Sequence, residues 1–132
     1  MSTDLKGKVA IVTGASRRIG KAMASTAAGL GINLTLAARG EGALKETADE
    51  IARRYKVEVL AVPCDVTKLE DLENLVNRTK EKFGKADILI NCAGVSSQYP
   101  FNEQPIEDFE RLAYTNYLGY VRLIRLVIND MI

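Results

Sequence analysis

The segment Val9-Ala10-Ile11-Val12-Thr13-Gly14-Ala15-Ser16-Arg17-Arg18-Ile19-Gly20 joins an apolar run to a glycine turn and then to residues at helical spacing. That order suits one kind of chemistry, the capture of an anion by backbone. Where a parallel strand delivers the chain to the start of a helix, the first helical N–H groups lack intrahelical partners. Together with the positive end of the helix dipole they hold a pyrophosphate without needing a cationic side chain. Gly14 permits the abrupt change of direction and Gly20 the close approach of helix to strand, two separate reasons for lacking a Cβ. Taken alone, an ordinary strand-to-helix turn reads the same way.

The residue inventory excludes several other chemistries. The chain has no histidine, which removes Ser-His and Cys-His nucleophiles and most zinc sites. Cys64 and Cys92 lack the C-x-x-C spacing of a redox or metal site and read as small buried residues. Lys plus Arg number 18 against 17 Asp plus Glu, a net charge of +1, so no basic face exists for nucleic acid. The opening Met1-Ser2-Thr3-Asp4 lacks the charged and apolar regions of a signal peptide, and no apolar run approaches a membrane span. The chain therefore reads as cytoplasmic, with no membrane partner. Its 132 residues, 47% of them apolar, supply one core and one domain over 1–132.

The elements that must position the turn alternate in type from end to end. Strands are expected at Val9–Thr13, Asn33–Ala38, 57–62 and 88–91, and the near-continuous apolar character of the first and last implies burial on both faces. A helix over 19–30 stops near Gly29 and Gly31, which suit a left-handed exit. A second, over 42–55, places Leu44, Ala48, Ile51, Ala52 and Tyr55 on one stripe. Thr67-Lys68-Leu69-Glu70 reads as a capping box opening a third helix, in which Leu69, Leu72, Val76, Thr79 and Phe83 recur until Gly84. The last helix, 105–132, starts with Pro105 at its first position and Glu107 and Asp108 at the positive end of its dipole. Its stripe is Phe109, Leu112, Asn116, Tyr120, Ile124, Val127 and Met131. This alternation demands right-handed crossovers and an α/β architecture with helices on both faces of a parallel sheet.

Thr13-Gly14-x-x-x-x-x-Gly20, Cys64-Asp65-Val66, Asn91-Cys92-Ala93-Gly94 and Asn116, in this order and spacing, resemble the short-chain dehydrogenase/reductase family over essentially the whole chain. The match corresponds to about the first half of a typical member. The resemblance implies a Rossmann-type doubly wound parallel sheet, cut short after the long helix 105–132. It also implies a nicotinamide dinucleotide at the carboxyl ends of the strands. Carried over by position, Ser16, Arg17 and Ile19 would line the phosphate turn. Asp65 would accept from the adenine amino group with the Val66 backbone beside the ring, although Asp65 also reads as a plain turn residue before a helix. Asn91, Ala93 and Gly94 would lie along the ribose, with Cys92 standing where the family usually has a second asparagine.

Arg39, at the end of the second strand, is the residue that bears on cofactor choice. An acidic residue there would take the ribose diol of NAD, whereas a guanidinium matches a 2′-phosphate with forked donors, so NADP (NADPH) is expected. Within the family, a basic residue such as Arg17 in the glycine turn resembles the NADP-preferring members. The alternative makes Arg39 a solvated surface charge. Arg18 stands where most of the family has glycine, as in members of the pteridine-reductase kind. Its Cβ could displace the backbone from the pyrophosphate, or its guanidinium could bind it.

The family moves a hydride between cofactor and a small carbonyl or alcohol with a serine and a Tyr-x-x-x-Lys pair. Four places after Tyr55, Tyr99, Tyr114, Tyr117 and Tyr120 stand Val59, Glu103, Leu118, Val121 and Ile124, so this pair is missing. Of the catalytic set only Asn116 matches. It would position a water in the proton relay, or equally be a polar helix residue that finds a backbone partner. The expectation is the NADP-binding part of a short-chain oxidoreductase with little turnover by itself. The alternatives are a non-catalytic nucleotide-binding or partner-docking module and, disfavoured by Arg39, a methyltransferase-like binder of S-adenosylmethionine. A bare edge at Ile88-Leu89-Ile90, or the helix 105–132, would support self-association.

Overall fold

The computed structural model describes residues 4–132; the reading of the first residues as leaderless concerns 1–3 and lies outside the described part. Four parallel strands, β1 (Val9–Thr13), β2 (Asn33–Ala38), β3 (Val59–Pro63) and β4 (Ile88–Ile90), form one sheet in the order β3-β2-β1-β4. The register pairs Val9 with Asn33 and Ala10 with Ile88. All five β1 residues are buried, because β1 is flanked by strands on both sides and covered by helices on both faces.

Alternation along β1 assigns those faces. Ala10 and Val12 pack with Ala24, Ala28, Leu44 and Ile51 of helices α1 (Arg18–Gly29) and α2 (Glu41–Tyr55). Ile11 packs with Leu72 and Leu75 of α3 (Leu69–Phe83) and Leu123 and Val127 of α5 (Gly119–Met131). The fold is thus a doubly wound α/β sheet of Rossmann type. The chain runs outward from β1 to β3 and then crosses back to β4 on the other side of β1, so the strand order reverses between β1 and β4. That reversal opens a crevice at the carboxyl ends of the strands.

Several expected boundaries shift. β3 starts two residues later and ends one later than 57–62, because its ladder with β2 runs from Val59 opposite Leu34 to Pro63 opposite Ala38, and β4 ends at Ile90, one residue before Asn91. The capping box does not form: Lys68 is the N-cap without a side-chain bond, and the Thr67 hydroxyl donates instead to Asp65 Oδ1 at 2.7 Å. An ionised carboxylate is the stronger acceptor and lies only two residues away. The left-handed residue after α1 is Gly31, at φ +80°, while Leu30 forms the C-cap.

The expected helix 105–132 is helical throughout but not uniform. Pro105 is the N-cap of α4 (Ile106–Ala113), a π-helical turn (Tyr114–Leu118) follows, and α5 continues. Its buried residues in and after that turn are Thr115, Gly119, Leu123 and Val127, so Asn116, Tyr120 and Ile124 lie beside the buried line rather than on it. Tyr117, Val121, Ile124 and Ile128 are exposed. No helix among the described residues is long and apolar enough to cross a membrane.

Candidate dinucleotide cleft

The crevice is a cleft of about 820 Å³ whose walls come from four loops following strands. At its floor, Gly14 takes φ +62°, a conformation open to glycine, and a Cβ there would come within 2.8 Å of the Ala93 nitrogen. The turn is held from outside by Thr47, whose hydroxyl donates to the Ser16 carbonyl at 3.3 Å. Arg17 is the N-cap of α1, in extended backbone, and no side chain caps the helix. The first turn of α1 contains no acidic residue. Its N–H groups and dipole therefore face the cleft uncompensated, which is an anion site by electrostatics.

Arg17, Arg18 and Arg39 all line the cleft, and among the described residues none forms an ion pair. Arg18 has φ +55°. This left-handed backbone explains why glycine suits the position, and for arginine it costs about 1–2 kcal/mol. Asp65, in the loop after β3, lines the same cleft. Its partial burial favours the neutral acid, but hydrogen bonds from the Thr67 hydroxyl and N–H, with the positive charges of Arg39 and Lys68, outweigh it and hold the carboxyl below its ordinary value. Asp65 is therefore an ionised acceptor beside the Arg39 side of the cleft. Its backbone N–H is fixed by Asp71 Oδ2 at 2.9 Å.

The structure brings together Gly14, Ser16, Arg17, Arg18, Ile19, Gly20, Arg39, Asp65, Val66, Ala93 and Gly94 in the walls of this one cleft. Asn91 and Asn116 are not among its lining residues. The Asn116 amide accepts from Val95 N–H at 2.9 Å and donates to the Val95 carbonyl at 2.7 Å, which is the backbone-partner alternative. Cys64 is buried as expected and Cys92 only partly so, and both line the cleft.

Other contributors carried no role in the sequence reading. Arg111 and Thr115 complete the wall from the α4 side. Thr13, the one polar residue in a strand otherwise wholly apolar, accepts from the N–H groups of Cys92 and Ala93 at 3.0 and 3.1 Å. A hydroxyl ending a buried strand must find a partner, and that was the available signal. Among the described residues no cluster of side chains suits a metal ion.

Comparison with known proteins agrees with this geometry. Residues 8–132 match the family model for short chain dehydrogenase. An uncharacterized oxidoreductase of Staphylococcus saprophyticus is 38% identical over 129 residues, 98% of this chain and 55% of that protein. The L-sorbose reductase of Gluconobacter frateurii, solved with NADPH and L-sorbose, superposes with a TM-score of 0.93 at 34% identity, covering 98% of this chain and 50% of that one. A NAD+-bound xylitol dehydrogenase gives 0.92 at 32% identity, with 98% and 50% covered. The chain thus spans about half the length of these relatives. With the family model matched from β1 through α5, the chain belongs to the short-chain dehydrogenase family of oxidoreductases.

Proposed function

We propose that this chain is the cofactor-binding part of an NADP-dependent short-chain oxidoreductase, acting in carbonyl reduction or alcohol oxidation on a small molecule. The observation that carries the reading is the set of arginines without ion-pair partners around the α1 N-terminus and the end of β2. The neighbours named above were solved with NADPH in one case and NAD+ in the other, and the positive charge of this cleft favours the phosphorylated form. Arg39 and Arg17 would hold the 2′-phosphate, and the α1 N-terminus with Ser16, Arg18 and Ile19 the pyrophosphate. Asp65 and Val66 would receive the adenine, and Ala93 and Gly94 the ribose, with Asn91 directly after β4 supporting that wall from behind rather than lining it. When bound, the nicotinamide supplies or takes up a hydride. Asn116 acts here by position, through the loop that its amide holds.

The residues present fit such a group: a glycine-floored anion site, cations where an extra phosphate would lie, and the ionised acceptor Asp65 after the neighbouring strand. Turnover by this chain alone is expected to be small, because none of its tyrosines is followed four places later by lysine. Fluorescence titration with NADPH and NADH, with S-adenosylmethionine as a competitor, tests the reading. Saturable NADPH binding, tighter than NADH and unaffected by S-adenosylmethionine, is expected. Absence of NADPH binding by a folded chain would sink it. A broad ketone panel separates an enzyme from a binding module.

Self-association belongs to the same proposal. The outer edge of β4 pairs with no strand among the described residues, and Tyr117, Val121, Ile124 and Ile128 expose an apolar strip. Light scattering is expected to show more than a monomer.

A further inference from the structure

Past the end of β4 the cleft wall made by Cys92, Ala93, Gly94 and Val95 has no strand ladder to hold it. Side chains hold it from two directions instead. On the sheet side, Thr13 Oγ1 accepts from the N–H groups of Cys92 and Ala93. On the helix side, Asn116 engages both polar groups of Val95, and the Tyr120 hydroxyl donates to the Ala93 carbonyl at 2.7 Å.

The same helix also rests on the other wall. Gly119 is buried, and a Cβ there would lie 3.0 Å from the Val66 carbonyl oxygen, so the helix backbone sits directly on the loop that follows β3. Two consecutive residues, Gly119 and Tyr120, thus touch the two walls that flank the cleft. The buried line through this region is Thr115, in the π-helical turn, followed by Gly119, Leu123 and Val127 in α5.

The geometry points to Tyr120 as a positioning residue for dinucleotide binding: by holding the Ala93 carbonyl it fixes where the wall after β4 stands relative to Val66 and the glycine turn. This rests on the dinucleotide reading of the cleft. Any shift of Ala93 is transmitted to the floor, because the loop lies in contact range of Gly14. The bond to Ala93 is the only one that the Tyr120 hydroxyl makes among the described residues. Burial, with Cys92 nearby, keeps the phenol protonated above its ordinary range, so it remains a donor at neutral pH.

The test compares Tyr120→Phe, which removes one hydroxyl and keeps the ring, with Thr79→Val. The latter removes a buried hydroxyl bonded to Thr35 between α3 and β2, away from the cleft. Tyr120→Phe is expected to weaken NADPH and NADH binding alike, by about fivefold for one lost hydrogen bond. Amide exchange of residues 92–95 in the ligand-free chain should accelerate. Thr79→Val should lower the thermal midpoint while leaving affinity and that exchange unchanged. Tyr120→Phe binding as tightly as wild type overturns the inference, as does an equal loss of affinity in both variants, which would mark a general stability effect. A wild-type chain that binds neither cofactor overturns the dinucleotide reading and this inference with it, and is told apart by the wild-type titration alone.

Discussion

Gly20 stands so close beneath Gly14 that a Cβ built on it would run into the Gly14 carbonyl. The phosphate turn is therefore folded back onto the first turn of α1, and its amides point where they do because the third helical residue has no side chain. Gly20→Ala must push the turn away from the helix. We expect a loss of roughly 1–3 kcal/mol in urea unfolding, the cost of overpacking a closed site, together with weaker NADPH binding. Gly42, near the start of α2, has open space around its missing Cβ. Gly42→Ala is expected to gain about 0.5–1 kcal/mol and leave binding unchanged.

Arg39 directly follows the second strand and lines the cleft without an ion-pair partner among the described residues, close enough to Asp65 to lower its pKa. If its guanidinium receives a 2′-phosphate, Arg39→Ala should cost about 1.5–3 kcal/mol in NADPH affinity, the range for hydrogen bonds to charged groups. NADH, which lacks that phosphate, should bind as before. Equal losses for the two cofactors in parallel titrations would refute the assignment.

Sequence alone marked β1 and β2 to the residue: β1 is apolar up to Thr13, as a strand covered on both faces must be, and β2 lies bounded between the Gly29 and Gly31 exit and Arg39-Gly40. It misplaced β3, since Val57 is as apolar as Val59 and only pairing with Leu34 decides where the ladder begins. The π-helical turn leaves no period of its own in the residues. Most of the cleft was legible because its glycines, arginines and Asp65 fall at motif spacing in the loops after strands and the first turn of α1. Thr13 and Tyr120 were not, since their partners are 79 and 27 residues away and only the folded sheet brings them together.

Arg18 joins two opposing effects in one residue. Its φ of +55° strains the ligand-free backbone, while its place on the cleft puts a guanidinium beside the N-terminus of α1. Arg18→Gly should therefore stabilise the ligand-free chain by about 1 kcal/mol, the left-handed penalty less the greater freedom of glycine when unfolded. The same change should weaken NADPH and NADH binding by similar factors, because the pyrophosphate is common to both. A more stable variant that binds more tightly would show that the Cβ had been in the way. Thermal melts and titrations of one preparation read both effects.

Burial pushes the Cys64 thiol from 9.0 up to about 12, with Asp71 and Asp65 adding to the effect. The folded chain keeps a proton that the unfolded chain sheds, so the contribution to stability is complete below pH 9 and is lost as the pH rises towards 12. Thermal midpoints should accordingly fall between about pH 9 and 11, more steeply in wild type than in Cys64→Ala, which removes the titrating group. Cys92, partly buried on the cleft wall, should be alkylated by iodoacetamide before Cys64, and NADPH should protect it. Protection of Cys64 but not Cys92 would place the ligand away from the wall after β4, and with it the reading of Ala93 and Gly94.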